Sequence, residues 1–259
     1  MVAQKGLVYS SINSHLSAIR NLHIINGYQA NIRSDKIKLA LRSIWLTSPA
    51  PVQKQPIDFK LLNKMWPVIE KSKDTYLWQA IISLAFFAGL RGSEYLVNSR
   101  SGTGPTMLSV SFANAGTSLT FKIKKSKTKI HGFQTVLGCS GHQVCALCTM
   151  KRYLKIRSVR SPLTESSWLF QTQQGAPVTK ASVDTYIKSL AKALGLDAKQ
   201  YSTHSLRAGA ATTAAQVGCK EYQVKSIGGW SSEVYTNYVR NKDNFTREWP
   251  KLAVRGSKS

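Results

Sequence analysis

Apolar residues recur at helical spacing through most of this chain and switch to strict alternation in one central stretch. Ile12, Leu16 and Ile19 mark one amphipathic helix, and Ile37, Leu41 and Ile44 mark a second, whereas residues 1–9 have no periodicity of their own. Ser48-Pro49-Ala50-Pro51-Val52-Gln53-Lys54-Gln55-Pro56 then breaks every periodic pattern and reads as a linker. Beyond it Phe59, Leu62, Trp66 and Ile69 predict a helix. An uncharged run from Ala80 to Ala88 follows, too short for the ~20 residues that cross a bilayer and therefore read as a buried helix that Gly89 stops.

Between residues 108 and 137 the period changes to two. Leu108, Val110 and Phe112 alternate with serines, Phe121 and Ile123 alternate with Thr120 and Lys122, and Asn114-Ala115-Gly116 is the turn signal between them. A lysine-rich segment, Lys124 to Gly132, leads to a third run, Phe133 to Leu137. Helical spacing then returns at Val144, Leu147 and Leu154. It returns again at Val183, Ile187, Leu190 and Leu194, with Thr179 or Ser182 as the cap and Gly195 as the stop. The expectation is a mainly α chain with a small antiparallel β-sheet, an α+β arrangement.

Charge changes the picture. Thirty-six Lys and Arg against twelve Asp and Glu give a net charge of +24, spread along the chain, with a pI near 10.1. Such a balance points to a polyanion, and the 42% hydrophobic content supports a sizeable core, unlike a ribosomal or nonspecific RNA-binding protein. No signal peptide or membrane-spanning segment is read. Four cysteines without a signal peptide fit a reducing compartment. Cys139, His142, Cys145 and Cys148 fall at even gaps that suit zinc, yet four ligands within ten residues have no folded arm between them, so buried free thiols are the default and no metal is expected.

The candidate chemistry begins at Thr203-His204-Ser205-Leu206-Arg207. His204 and Arg207, three apart, share one helix face and can present an imidazole and a guanidinium to one phosphate, while Leu206 packs inward. Gly228-Gly229-Trp230 and Tyr235-Thr236-Asn237-Tyr238 lie downstream. A phenol near fixed cationic donors is a metal-free arrangement for phosphoryl transfer. Upstream, Arg91 follows the buried run and Glu94 is placed to hold it by an ion pair. In the lysine segment, a lysine whose pKa is lowered by its neighbours can protonate a leaving oxygen, although for any single lysine contact with phosphate is the plainer reading.

These residues, in this order, resemble a tyrosine recombinase of the phage-integrase superfamily: Gly-Leu-Arg-Gly-Ser-Glu at 89–94, Ser-Lys-Thr at 126–128, His-Ser-Leu-Arg at 204–207, Gly-Gly-Trp at 228–230, and Tyr238. Within it, Gly-Trp-Ser-Ser followed by Tyr-Thr-Asn-Tyr-Val-Arg is most similar to recombinases of eukaryotic Crypton and tyrosine-recombinase retrotransposon elements. The resemblance implies that Arg91 and Arg207 clamp the scissile phosphate, Lys127 is the general acid and His204 assists proton transfer. Trp230 stands where the family has His or Trp and donates its indole N–H, Tyr238 is the nucleophile, and Glu94 orients Arg91. Tyr235 is the competing phenol. Lys124, Lys125, Lys129 and Arg240 are then DNA-binding residues.

For organisation, the resemblance implies a partial helical core-binding domain at 1–48, whose first helices are missing, a linker at 49–56, and a catalytic domain at 57–259. Its tail, 244–259, carries Phe245, Trp249 and Leu252 and docks on a neighbouring protomer or folds back on its own domain. The implied partner is double-stranded DNA, bound by a dimer per site and a tetramer in the synapse, with no cofactor and no membrane. The implied location is the nucleus for a eukaryotic mobile element and otherwise the cytoplasmic nucleoid. A recombinase-derived DNA-binding protein that no longer cuts and a type IB topoisomerase are the alternative functions.

Overall fold

The computed structural model describes residues 9–29, 34–48, 53–113, 116–124 and 131–230, and the chain divides into two compact units, 1–52 and 53–259. The first unit holds α1 (Tyr9–Ile25) and α2 (Asp35–Thr47), which pack on one another. Much of their apolar surface is open: Ile19, Leu22, Ile25, Leu39, Trp45 and Leu46 are all exposed.

The second unit is built around α4 (Thr75–Phe87). Its residues from Gln79 to Phe86 are buried on every side, as the uncharged run predicts, because α3 (Phe59–Glu70), α6 (Ala146–Arg160) and α8 (Thr203–Gln216) pack around it. The α3 stripe Leu62, Met65, Trp66 and Ile69 is fully inside, and Asp58 caps that helix by accepting the Leu61 N–H at 2.8 Å. α7 (Lys180–Ala193) presents Val183, Ile187 and Leu190 to the core, begins at a Thr179–Ser182 capping box and ends before Gly195 at φ 71°. Across that seam Trp78 and Tyr186 stack with ring centroids 3.9 Å apart.

The sheet has three antiparallel strands in the order β1 (Val110–Phe112), β2 (Ser118–Ile123), β3 (Phe133–Gly138), with Val110 opposite Phe121 and Ile123 opposite Phe133. Leu119, Phe121 and Ile123 are its buried face. The first strand is shorter than the alternation suggests. Met107–Ser109 forms a 3-10 turn that buries Ser109 and leaves Leu108 exposed, so Leu108 lies outside the ladder. α5 (Gly92–Tyr95) and α9 (Glu221–Gly228) are the remaining α-helices among the described residues, and the fold is mainly helical with a small antiparallel sheet. Among the described residues no helix is long and apolar enough to cross a membrane.

Candidate nucleic-acid site

One corner of the second unit gathers four of the residues singled out above. α4 ends at Gly89, whose φ of 55° reverses the chain, and Leu90 returns its N–H to the Ala85 carbonyl at 3.0 Å. A side chain there would also press on Gly228, 3.1 Å from the Cα, so a glycine is required both for the turn and for the close approach.

Two residues on, Arg91 is held twice by one carboxylate. Its backbone N–H donates to Glu94 Oε2 at 2.7 Å and its Nη1 to Glu94 Oε1 at 2.9 Å. The Glu94 side chain is wholly buried while Arg91 remains 23% exposed. The charge-assisted pair therefore fixes the guanidinium while leaving part of it accessible to a ligand. Tyr95 is buried beside it, and burial raises its phenol far above the ordinary value, aided by the charges of Asp184 and Glu94.

Arg207 reaches the same corner from α8. It is fully buried, its Nη1 donates to the carbonyls of Gly89 and Gly228, the latter at 3.0 Å, and its guanidinium lies 4.0 Å over the Trp230 ring. Trp230 is buried with Ala211, Ala214 and Val224. It is delivered by the left-handed Gly229 at φ 63°, which lets the Trp230 N–H reach the Lys225 carbonyl at 2.9 Å. The ring lies so close over Gly228 that any side chain at 228 would overlap it. Gly89-x-Arg91 and Gly228-Gly229-Trp230, far apart in sequence, are thus bound through one arginine.

The paired presentation expected of His204 and Arg207 is only half met. His204 is exposed on the first turn of α8, whereas Arg207, one turn on, points into the protein because the carbonyls of Gly89 and Gly228 accept its charge there. Ser202 caps that helix, accepting the His204 N–H at 3.3 Å, and Asp184 Oδ1 accepts the Thr203 N–H at 2.7 Å. Burial raises the Asp184 carboxyl, but the bonds from Lys180 and Thr203 outweigh it and hold it below the ordinary value. α8 can lie this deep because it is made of small residues: a side chain at Gly209 would overlap the Ile57 carbonyl, and Ile57 donates its N–H to the Ser205 carbonyl at 2.9 Å.

Lys124 is exposed just beyond β2, and with Lys122 it lines a cavity of about 200 Å³ that Ser93 and Glu94 also line. Gly132, at φ 71°, closes the other side of this loop so tightly that a side chain would overlap the carbonyls of Ile123 and Lys124. The base of the lysine segment is therefore brought beside Ser93 and Glu94 of α5. Lys125, Lys127, Lys129, Tyr235, Tyr238, Arg240 and the tail 244–259 lie outside the described residues.

The pattern reading missed Asp184 and Arg157. Arg157 is buried on α6 and bonds the Leu169 carbonyl at 2.6 Å and Gln171 Oε1 at 2.8 Å. Its place four residues after Tyr153 and seven after Met150, on the apolar stripe of α6, is the signal that could have found it.

The cysteines correct the default of buried thiols. Cys145 is buried, but Cys139 and Cys148 are exposed, and the three sulfurs lie within 4.8 Å of one another. Burial raises the Cys145 thiol, yet the N–H groups of Ser140 and Cys148 outweigh it and bring it down to about 7. Cys148, hydrogen-bonded to Cys145 and partly desolvated, is pushed up to about 12. His142 stands apart from this group, with its Nδ1 accepting the Val144 N–H at 3.1 Å and its ring against Phe59.

The phage integrase family profile matches residues 107–244, more than half of the chain. The chain belongs to the phage integrase family. Solved structures of similar fold include the Tn1549 transposon integrase (residues 82–397) in complex with circular intermediate DNA, at 18% identity and a TM-score of 0.61 over 92% of this chain and 76% of that one. Also similar is the XerH site-specific recombinase bound to its difH substrate in a pre-cleavage complex, at 18% identity and a TM-score of 0.55, over 95% of this chain and 71% of that one. A third is a lambda integrase (residues 75–356) dimer bound to a COC′ core site, at 14% identity and a TM-score of 0.53, over 91% of this chain and 81% of that one. No curated protein matches the chain. The family match in this integrase-family chain takes in His204, Arg207 and Trp230 and begins after Arg91 and Glu94, to which Arg207 is joined through the Gly89 carbonyl.

Proposed function

We propose that this chain is a site-specific DNA recombinase that cleaves and rejoins strands through a 3′-phosphotyrosyl intermediate. The observation that carries the reading is the arginine corner, in which Arg91 is locked to buried Glu94 and Arg207 is bound to the Gly89 carbonyl two residues upstream of Arg91. Two guanidinium groups fixed in advance stabilise charge as it develops on a phosphate's non-bridging oxygens without reorganising during the reaction.

In this reading the Tyr238 oxygen attacks the scissile phosphorus and the bond from phosphorus to the 5′ oxygen breaks. Lys127 gives its proton to that oxygen, releasing a free 5′ hydroxyl, and His204, on the exposed end of α8, assists transfer of the phenolic proton. Trp230 supports Arg207 through its ring and cannot carry a proton. The bond energy stays in the protein link, so rejoining needs no high-energy cofactor. The net charge of +24 suits duplex DNA, with Lys124, Lys125, Lys129 and Arg240 on its backbone.

Residues 1–48 act as a helical core-binding domain before the catalytic domain at 57–259. The DNA complexes named above support double-stranded DNA as the partner, and the assembly in this reading is a dimer per site and a tetramer in the synapse. The Tyr-Thr-Asn-Tyr-Val-Arg segment supports an affinity with Crypton and retrotransposon recombinases, and with it a nuclear location.

A second reading, DNA binding without cleavage, is favoured by one observation: Arg207 is fully buried and bonded to two carbonyls, as a purely structural arginine would be. Nicked suicide duplexes carrying candidate element ends separate the two. A covalent adduct on a denaturing gel, lost with Tyr238→Phe and kept with Tyr235→Phe, supports the recombinase. Tight, salt-sensitive binding with no adduct on any duplex supports the binding protein.

A further inference from the structure

We propose that Cys139, Cys145 and Cys148 form a three-thiolate binding site for a borderline or soft divalent cation, zinc foremost. The site joins the end of β3 to the first turn of α6. The sulfur geometry is the first argument. Cys139 Sγ lies 3.7 Å from Cys148 Sγ and 3.8 Å from Cys145 Sγ. A tetrahedron with metal–sulfur bonds of about 2.3 Å has edges of about 3.8 Å. A cation seated above this triangle meets all three sulfurs with little movement of the chain, whereas a single disulfide would use two and leave the third behind.

The loop that brings them together is already built. Cys139 follows β3 directly, and Gly141 turns the chain at φ 67°. Ser140 Oγ donates to the Val144 carbonyl at 2.9 Å and accepts the His142 N–H at 3.2 Å. Cys145 is the N-cap of α6 and Cys148 stands three residues on, the short Cys-x-x-Cys step common to metal sites. The backbone N–H groups of Ser140 and Cys148 both point at Cys145 Sγ at 3.5 Å, the kind of hydrogen bond that steadies a ligating thiolate. With Cys139 and Cys148 exposed, the fourth corner opens to solvent and a water completes the coordination. His142 is not a ligand in this arrangement. Its Nδ1 is engaged by Val144, and it anchors the loop against Phe59 on α3 instead.

Bound metal would clamp the base of the β2–β3 hairpin, which carries the lysine segment, to α6 and hence to the helical core. This does not depend on the recombinase reading.

The test uses the full chain, reduced and stripped by a chelator, titrated with cobalt(II) and then zinc(II). Expected are one equivalent of cobalt with a sulfur-to-metal charge-transfer band and tetrahedral d–d bands, displaced by one equivalent of zinc, and a rise in Tm with zinc. Cys139→Ser and Cys148→Ser, both at exposed positions, should each weaken binding at least tenfold, with Cys219→Ser unchanged. Absence of the cobalt bands in protein whose thiols all react as free would overturn the proposal. So would a Cys139–Cys148 disulfide in the purified chain with no metal uptake after reduction, or an equal loss with Cys219→Ser.

Discussion

The arginine corner and the thiol loop solve the same problem, the gathering of like groups, in opposite ways. Arg91 and Arg207 are both cations, yet each has its own acceptors: the buried Glu94 carboxylate for one and the carbonyls of Gly89 and Gly228 for the other. The thiols of Cys139, Cys145 and Cys148 are held mainly by one another and by two backbone N–H groups. A group already satisfied by the protein contributes to stability with no ligand present. A cluster satisfied mainly by itself contributes fully only when a cation joins it.

Breaking the first region should therefore have the largest effect. Arg207→Ala removes a fully buried side chain, leaves two carbonyls unpaired and takes the support from under Trp230. A loss of about 3 kcal/mol in denaturant unfolding is expected, with the covalent-adduct rate down by at least about 100-fold. A variant that kept full stability would remove the claim that the corner is self-sufficient.

Glu94→Ala comes next. It frees both the N–H and the guanidinium of Arg91, and because Arg91 is partly exposed the cost is about 2 kcal/mol rather than that of a fully buried pair. DNA affinity should fall less than the adduct rate, since a misaligned arginine still attracts phosphate but no longer fits the transition state. Gly89→Ala, at φ 55° and against Gly228, should cost about 1–2 kcal/mol, with an adduct rate reduced along with it.

These glycines also show how much was legible in the sequence. The helix stop at Gly89, the placing of Arg91 beyond it and the Glu94 pairing follow from local rules of spacing and turn chemistry. The buried run of α4 follows from its lack of charge. What escaped depends on tertiary contact. Arg207 reads as a surface residue beside His204 until the carbonyls of two distant glycines are brought to it. Arg157 occupies an apolar stripe only because Leu169 and Gln171 meet its charge. Leu108 keeps the strand period but is lifted out of the ladder by a 3-10 turn. The cysteines read as packed thiols because spacing alone does not reveal that Gly141 folds Cys139 back toward Cys145 and Cys148.

Asp184→Asn sharpens the comparison by pH. The Asp184 carboxyl is held below its ordinary value, so the folded state binds this proton less readily than the unfolded one. Its contribution is complete above about pH 4 and is lost as the pH falls through the lower folded value. At pH 7 the Asn variant should be less stable by about 1 kcal/mol, and the gap to the parent chain should close as the pH falls below about 4 in urea melts followed against pH. A gap that persisted at the acid end would assign the loss to packing at the α7–α8 seam instead of charge.

The smallest effect in the metal-free chain belongs to the thiols, and that smallness is itself the prediction. Cys139 and Cys148 are exposed, and a serine hydroxyl at either place removes only weak sulfur contacts while leaving the Ser140, His142 and Val144 bonds that build the loop. Cys139→Ser should change metal-free stability by less than about 0.5 kcal/mol. With zinc present, the parent chain should gain stability that grows with the logarithm of metal concentration and the variant should not, so the gap between them widens as zinc is added. For Arg207→Ala the loss should be the same with or without zinc. The two regions are distinguished by that slope: a cluster completed by its own acceptors has none, and a cluster completed by a cation does.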